Sequence, residues 1–325
     1  MSVTIKDIAR EIGVSASTVS RILNDKSVQN KKLIQRVKDK AKELNYQVNT
    51  AAAGLRTNRT KLIGIVVPEI SNDFFAEILS GVEEASEANG YNLLICQSNE
   101  SEEKERKLIR SLISCNVEGI LISSSIDDED EEIGTEALSA GKKVVLFDRV
   151  PAGAKLPFVT IQDYDGSYKV TKHVLEQGRK KLLYHGMDRK LTNDKERLRG
   201  VKEALKENGI HEVDTFYNED SVTFIDKVLE GKYDALVCYN DDLASQDMAQ
   251  LGNSGVKIPG DLMVTGFDNR SICTLISPTL TTINHSTRDL GRRAFEMLFS
   301  MLESEESVEN EVIPAELIIR ESTST

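Results

Sequence analysis

Apolar positions in the first 45 residues fall at helical spacing. Ile5, Ile8, Ala9 and Ile12 recur at i, i+3, i+4, i+7 and predict one apolar helix face. Thr4 stands at the cap position, with Asp7 three residues on. Gly13 breaks the pattern. Ser15 can cap a second helix whose Val19, Ile22 and Leu23 turn to a shared core, and Asn30 a third with Leu33, Val37, Ala41 and Leu44 inward. Helix, Gly-containing turn, helix is a helix-turn-helix signature.

From Tyr46 to Thr60 the chain is small, polar and basic, with little apolar face to bury, and reads as a linker that folds conditionally. From Lys61 the rhythm changes. Apolar runs at 62–67, 93–96, 120–122, 144–147, 182–184, 235–239 and 262–267 predict strands. Amphipathic stretches at 75–88, 104–115, 168–177 and 198–208 predict helices between them. Strands alternating with helices imply parallel sheets covered on both faces, an α/β body. About ten strands over some 265 residues exceed one doubly wound sheet, so two lobes are expected. The acidic run at 127–132 reads as a solvated loop and helix start.

Charge sharpens this division. The 325 residues carry a net charge of −12, yet residues 1–60 hold 12 Lys and Arg against 5 Asp and Glu, a balance of +7 that leaves −19 for the remainder. Such asymmetry suggests a basic nucleic-acid module on an acidic body. No apolar run approaches the roughly 20 residues that span a bilayer, and the N-terminus has no signal-type stretch, so a cytoplasmic protein without membrane contact is expected. Cys96, Cys115, Cys238 and Cys273 are isolated and read as four reduced thiols in or near the core, with no metal site or disulfide framework. Phosphate-loop, dinucleotide, zinc-protease and nucleophile-elbow motifs are absent, so neither an enzyme nor a cofactor is indicated.

Several segments together resemble the lactose-repressor (LacI/GalR) family of bacterial regulators: Val3-Thr4-Ile5-Lys6-Asp7-Ile8-Ala9, Gly13-Val14-Ser15-Ala16-Ser17-Thr18-Val19-Ser20-Arg21 and Glu43-Leu44-Asn45-Tyr46. In the body the likeness continues through Leu62-Ile63-Gly64-Ile65-Val66-Val67-Pro68, Ser71-Asn72-Asp73-Phe74-Phe75, Val264-Thr265-Gly266-Phe267-Asp268, Pro278-Thr279-Leu280-Thr281-Thr282-Ile283 and Leu317-Ile318-Ile319-Arg320-Glu321-Ser322. The resemblance implies a three-helix headpiece over residues 1–46, a hinge helix and linker over 47–60, and an effector-binding and dimerisation body over 61–325. That body is expected to have two lobes like periplasmic sugar-binding proteins. Lobe one takes about 61–161 and 286–316, lobe two about 162–285 and 317–325. Crossovers are expected near Ile161–Asp163, Asn284–Thr287 and Leu317.

In a helix-turn-helix the early residues of the second helix meet base edges. Here those are Ala16 and Ser17, capped by Ser15, with Arg21 one turn on and able to reach guanine O6 and N7. Thr4, Thr18, Ser20, Asn24 and Asn30 suit phosphate contacts, which set register. Tyr46, which closes the headpiece motif, and Ser15 are also counted among the DNA-binding residues. The resemblance makes Leu55 a wedge into the minor groove at the centre of a palindromic operator, with Asn49 and Ala52 lining that groove. One reading helix and one wedge per chain call for a homodimer on double-stranded DNA. With no heptad helix after the last strand, a tetramer is not expected.

Motif positions also supply an effector site between the lobes. Phe74 and Phe75 offer a stacking face. Asp148, Asn240 and Asp268 end strands, where α/β sheets open to a crevice, and Arg197 resembles a family position that reaches the ligand. Strand-end polar residues also cap loops, so both roles stay open for these four. Carboxylates, an amide and a guanidinium suit vicinal hydroxyls, which implies a sugar or sugar phosphate as effector. The function implied is a sequence-specific repressor of a sugar-utilisation operon. Its rivals are a catabolite-control regulator with a phosphorylated carrier protein as coregulator and a purine-responsive repressor.

Overall fold

The computed structural model describes residues 3–23, 30–46, 59–125, 134–151, 153–188, 190–217, 221–304 and 307–324, with the backbone only at 221–223. The chain divides into two units, Met1–Thr60 and Lys61–Thr325.

In the first unit α1 (Ile5–Ile12), α2 (Ala16–Leu23) and α3 (Lys31–Glu43) close around Ile8, Ala9, Ile12, Val19, Ile22, Val37 and Ala41. These are the residues that the helical spacing turns inward, and Tyr46 packs against them half-buried. The ends form as the side chains dictate. The Thr4 N–H and hydroxyl both donate to the Asp7 carboxylate, at 2.9 and 2.6 Å, and hold that carboxyl below its ordinary pKa. Gly13 ends α1 at φ 76°, a left-handed conformation that glycine adopts without penalty.

The second unit is built on two sheets. The first has strand order β11-β5-β4-β3-β1-β2, all parallel, from β1 (Leu62–Val67), β2 (Asn92–Gln97), β3 (Gly119–Ile122), β4 (Lys143–Phe147), β5 (Phe158–Ile161) and β11 (Glu311–Ile313). The helices α4 (Asp73–Ala88), α5 (Glu102–Ser114), α6 (Thr135–Ser139) and α12 (Thr287–Glu303) belong with it. The second sheet runs β7-β6-β8-β9, also parallel, from β6 (Leu182–His185), β7 (Asp214–Phe216), β8 (Ala235–Cys238) and β9 (Met263–Thr265). With it go α7 (Asp163–Glu176), α8 (Thr192–Glu207), α9 (Ser221–Gly231), α10 (Asp241–Asn253) and α11 (Ile272–Leu275). An antiparallel pair, β10 (Thr282–Asn284) and β12 (Glu316–Ile318), adjoins β9 through a bridge between Thr265 and Thr281.

The chain thus passes between lobes three times: after β5, after β10, and between Ile313 and Glu316. The third passage lies just upstream of the Leu317 position expected from sequence, because Glu316 already pairs with Asn284 in the second lobe. Helices begin earlier than their apolar faces suggest. For example, α7 starts at Asp163 and not Tyr168, because first turns carry acidic residues that favour the positive end of the helix. Of the four cysteines expected in or near the core, Cys238 and Cys273 are buried and Cys96 half-buried, but Cys115 is exposed, since it follows the last turn of α5. The 127–132 run lies outside the described residues.

Close helix pairing fixes the first lobe. A Cβ on Gly291 of α12 would sit 2.0 Å from the Ile78 carbonyl oxygen of α4, and one on Gly81 equally close to the Arg288 carbonyl. Backbone cannot yield as a flexible side chain can. Gly291→Ala is therefore expected to lower stability by about 1–3 kcal/mol, the scale of core overpacking, as read from denaturant midpoints. An unchanged midpoint would show that the helices separate freely.

Glu105, in the first turn of α5, is fully buried. It accepts hydrogen bonds from the Ser124 hydroxyl at 3.1 Å and the Ser125 N–H at 2.7 Å. Burial outweighs these bonds and pushes its pKa from 4.5 up to about 7. The folded state therefore holds a proton that the unfolded chain has released, so this group's contribution to stability falls as pH rises through that interval. Glu105→Gln removes the titration. Its stability relative to the parent is expected to rise by roughly 1–3 kcal/mol between pH 4.5 and 7. Parallel melting curves at all pH values would refute this.

Candidate functional site

In the first unit, α2 presents a polar face. Ser15, Ser17 and Arg21 are exposed, and Ala16 and Thr18 half-exposed. The Ser15 hydroxyl accepts from the Thr18 N–H at 3.1 Å, capping the helix, and lies 2.8 Å from the hydroxyls of Ser17 and Thr18. Thr4 and Asn30 are exposed at the starts of α1 and α3, and the Asn30 side chain accepts from the Leu33 N–H at 3.1 Å. Ser20 departs from expectation. It is only 8% exposed, where a phosphate contact was expected of an open surface hydroxyl. Asn24, Asn49, Ala52 and Leu55 lie outside the described residues.

The second unit holds a narrow cleft between its lobes, lined by residues that include Phe74, Phe75, Asp148, Arg149, Arg197, Tyr239, Asn240 and Asp268. All six effector-site residues named from sequence are brought together there. Its open volume is only about 50 Å³, room for about four water molecules. A sugar-sized ligand requires the lobes to part. A larger hollow of about 450 Å³ adjoins it across Asp148 and Asn193, but none of the cleft's guanidinium groups lines that hollow.

Arg197 forms the floor. It is 2% exposed. Its Nε donates to Asp163 at 2.7 Å, one terminal nitrogen to the Tyr239 carbonyl at 2.6 Å, and the other reaches Asp268 at 3.5 Å. The guanidinium lies over the rings of Phe267 at 3.7 Å and Tyr239 at 4.5 Å. Burial works against its charge, but Asp163 and Asp268 outweigh burial and raise its pKa. Asp268 also meets His285 Nε2 at 3.2 Å, and its backbone has φ 102° at the end of the β9 segment. Phe74 sits edge-on to Phe75 at 5.1 Å and to His285 at 5.8 Å. Asn240 caps α10, its side chain accepting from the Leu243 N–H at 2.9 Å, so the loop-capping role considered for it is realised while it also lines the cleft.

Asp148 turns into the cleft from a left-handed backbone, φ 59°, and one of its oxygens accepts from the Ser123 hydroxyl at 3.2 Å. Burial raises its pKa against the pull of Arg149 and Arg197. Arg149 is buried beside it and donates to Glu100 at 2.5 Å. Three polar atoms here are buried without a hydrogen-bond partner: Asp148 Oδ1, Arg149 Nε and His285 Nδ1. Buried polar groups are nearly always paired, so such orphans need an explanation. Arg149, Asp163, Tyr239 and His285 were not found by sequence reasoning. The strand-end rule that singled out Asp148 would have reached Arg149 and Asp163 had it run one or two residues further.

Comparisons with known proteins agree with this arrangement. Residues 4–49 match the model of bacterial regulatory proteins of the lacI family, and residues 171–323 that of the periplasmic binding protein-like domain. The regulator RegA of Clostridium saccharobutylicum is 36% identical, covering 99% of this chain and 100% of its own. The repressor PurR of Vibrio vulnificus is 32% identical over 98% of each, and catabolite control protein A of Priestia megaterium 28% over 99% and 100%. A solved lac repressor dimer bound to operator and the anti-inducer ONPF superimposes with a TM-score of 0.90, at 23% identity over the whole of both chains. A periplasmic binding protein/LacI regulator from Alkaliphilus metalliredigens in complex with D-xylulofuranose gives 0.73 at 28% identity, covering 82% of this chain and all of its own. A helix-turn-helix unit joined to a two-lobe body, with relatives of this identity along the full length, places the function in transcription: the chain belongs to the lacI family of bacterial regulatory proteins.

Proposed function

We propose that this regulator is a cytoplasmic, homodimeric repressor of a sugar-utilisation operon, non-enzymatic, whose grip on a palindromic operator is set by a small polyhydroxylated effector held between the lobes. The observation that carries this reading is the orphaned trio of Asp148 Oδ1, Arg149 Nε and His285 Nδ1 beside the Arg197 network. An acceptor, a donor and a nitrogen that can do either suit hydroxyl groups, which both donate and accept. Related structures hold sugars, D-xylulofuranose in one and ribose in another from Enterococcus faecium.

On the DNA side, Ala16, Ser17 and Arg21 read bases, with Ser15, Thr18, Thr4, Asn30 and Asn24 near phosphates and Tyr46 bracing the headpiece. Leu55, with Asn49 and Ala52, enters the minor groove. Arg21→Ala is expected to cost about 1–3 kcal/mol on the operator and to relax base choice at one position per half-site. Selection of bound sites from genomic DNA checks this. Equal loss on operator and random DNA would reduce Arg21 to a phosphate contact.

For the effector, Asp268→Asn keeps the shape of the side chain and removes its charge beside Arg197 and His285. The variant is expected to bind operator as the parent does but to lose the response to the effector. Operator titrations with and without a panel of pentoses and hexoses measure both. Loss of operator binding as well would make Asp268 a structural residue only.

A further inference from the structure

We infer that the effector is uncharged: the cleft is built for a free sugar or other neutral polyol and rejects its phosphate ester. This rests on the reading of the cleft as a polyol site and narrows it. Helix N-termini are ready anion sites, and several helices open toward the cleft. Each carries its own carboxylate in the first turn: Asp73 in α4, Asp163 in α7, Asp194 in α8, and Asp241 and Asp242 in α10. Each is already engaged: Asp73 and Asp242 pair with Arg270, and Asp163 with Arg197. Asp194 accepts from the N–H groups of Met187 and Asp188 at 2.7 and 2.9 Å, and Asp241 from that of Arg270 at 2.8 Å.

The two guanidinium groups are equally engaged. Arg197 is satisfied by Asp163, Asp268 and the Tyr239 carbonyl. Arg149 holds Glu100 at 2.5 Å with Asp148 at 3.9 Å. Around the cleft, Glu69, Glu100, Asp148 and Asp268 outnumber Arg149 and Arg197. A phosphate would therefore meet an excess of like charge in a desolvated space, where repulsion is least screened. The orphans point the same way. Asp148 Oδ1 needs a donor and Arg149 Nε, 3.9 Å from the Asp148 carboxylate, an acceptor; a hydroxyl placed between them supplies both, whereas a phosphate oxygen accepting from Arg149 meets the Asp148 carboxylate.

Calorimetry on the full-length protein with matched pairs tests this: D-ribose and ribose 5-phosphate, D-xylulose and xylulose 5-phosphate, D-glucose and glucose 6-phosphate, D-fructose and fructose 6-phosphate. The expected result is a free sugar that binds at least about 100-fold more tightly than its ester, a difference of about 2.7 kcal/mol. An ester that binds as well as or better than its parent sugar overturns the inference and leaves the sugar reading intact. A panel in which no sugar binds in either form, or only hypoxanthine or guanine does, overturns the sugar reading itself. As a second measurement, Glu100→Gln releases the charge of Arg149. It is expected to narrow the sugar-to-ester gap at least about tenfold in a protein that still folds and binds operator. A gap that stays the same in a folded variant overturns the inference, because the charge around the cleft then does not set the preference.

Discussion

The Arg197 guanidinium ties together three parts of the chain at the floor of the cleft. Asp163 follows the first passage between lobes, Tyr239 follows β8, and Asp268 follows β9. A buried ion is costly to desolvate and is kept only where its partners are close and well placed. Here the partners come from the chain's turning points, so holding the charge also holds the floor of the cleft. Removing both Asp163 and Asp268 would leave the charge uncompensated, at a cost of roughly 3–5 kcal/mol or more. The rings of Phe267 and Tyr239 flank the guanidinium and exclude water, which strengthens those contacts.

Above this floor the cleft is polar yet incompletely paired. Asp148 and Asp268 both adopt positive φ, a conformation uncommon for residues with a Cβ. Such backbone is found where surrounding structure over-determines it, often at binding sites. Strained strand ends and orphaned heteroatoms together describe a site whose own bonding is left open for a ligand. The lobes meet in this state, where Arg270 of the second lies 3.2 Å from Asp73 of the first. A ligand that binds one lobe arrangement better than another must shift the balance between them, and DNA that favours one arrangement must in turn change effector affinity by the same factor.

Around the site the body is rigid for a different reason. Parallel strands buried on both faces read as continuous apolar runs, and β1 is apolar along its whole length. In the first lobe α4 and α12 approach until only hydrogen fits at Gly81 and Gly291. Motion between the lobes is then left to the three passages of the chain, where few residues connect two packed sheets.

The sequence by itself determined the local elements and their order. Helical spacing at Ile5, Ile8, Ala9 and Ile12 named the headpiece core, and apolar runs named most strands, because burial of one face leaves its period in the chain. Polar residues at strand ends marked Asp148 and Asp268 for the crevice. What the sequence could not decide was partnership. The short β7, β10 and β11 carry too few residues for a period, and β10 pairs with β12 only because the chain passes between lobes twice in between. Ser20 is buried because three helices bury more than an amphipathic stripe predicts. A strand-end polar residue satisfies the same hydrogen-bonding need whether it caps a helix, as Asn240 does, or faces a cleft. Arg149, Asp163 and His285 entered the site through tertiary structure alone. Their roles depend on distances between residues remote in sequence, and periodicity, which reports one residue's neighbours along a single element, carries no record of those.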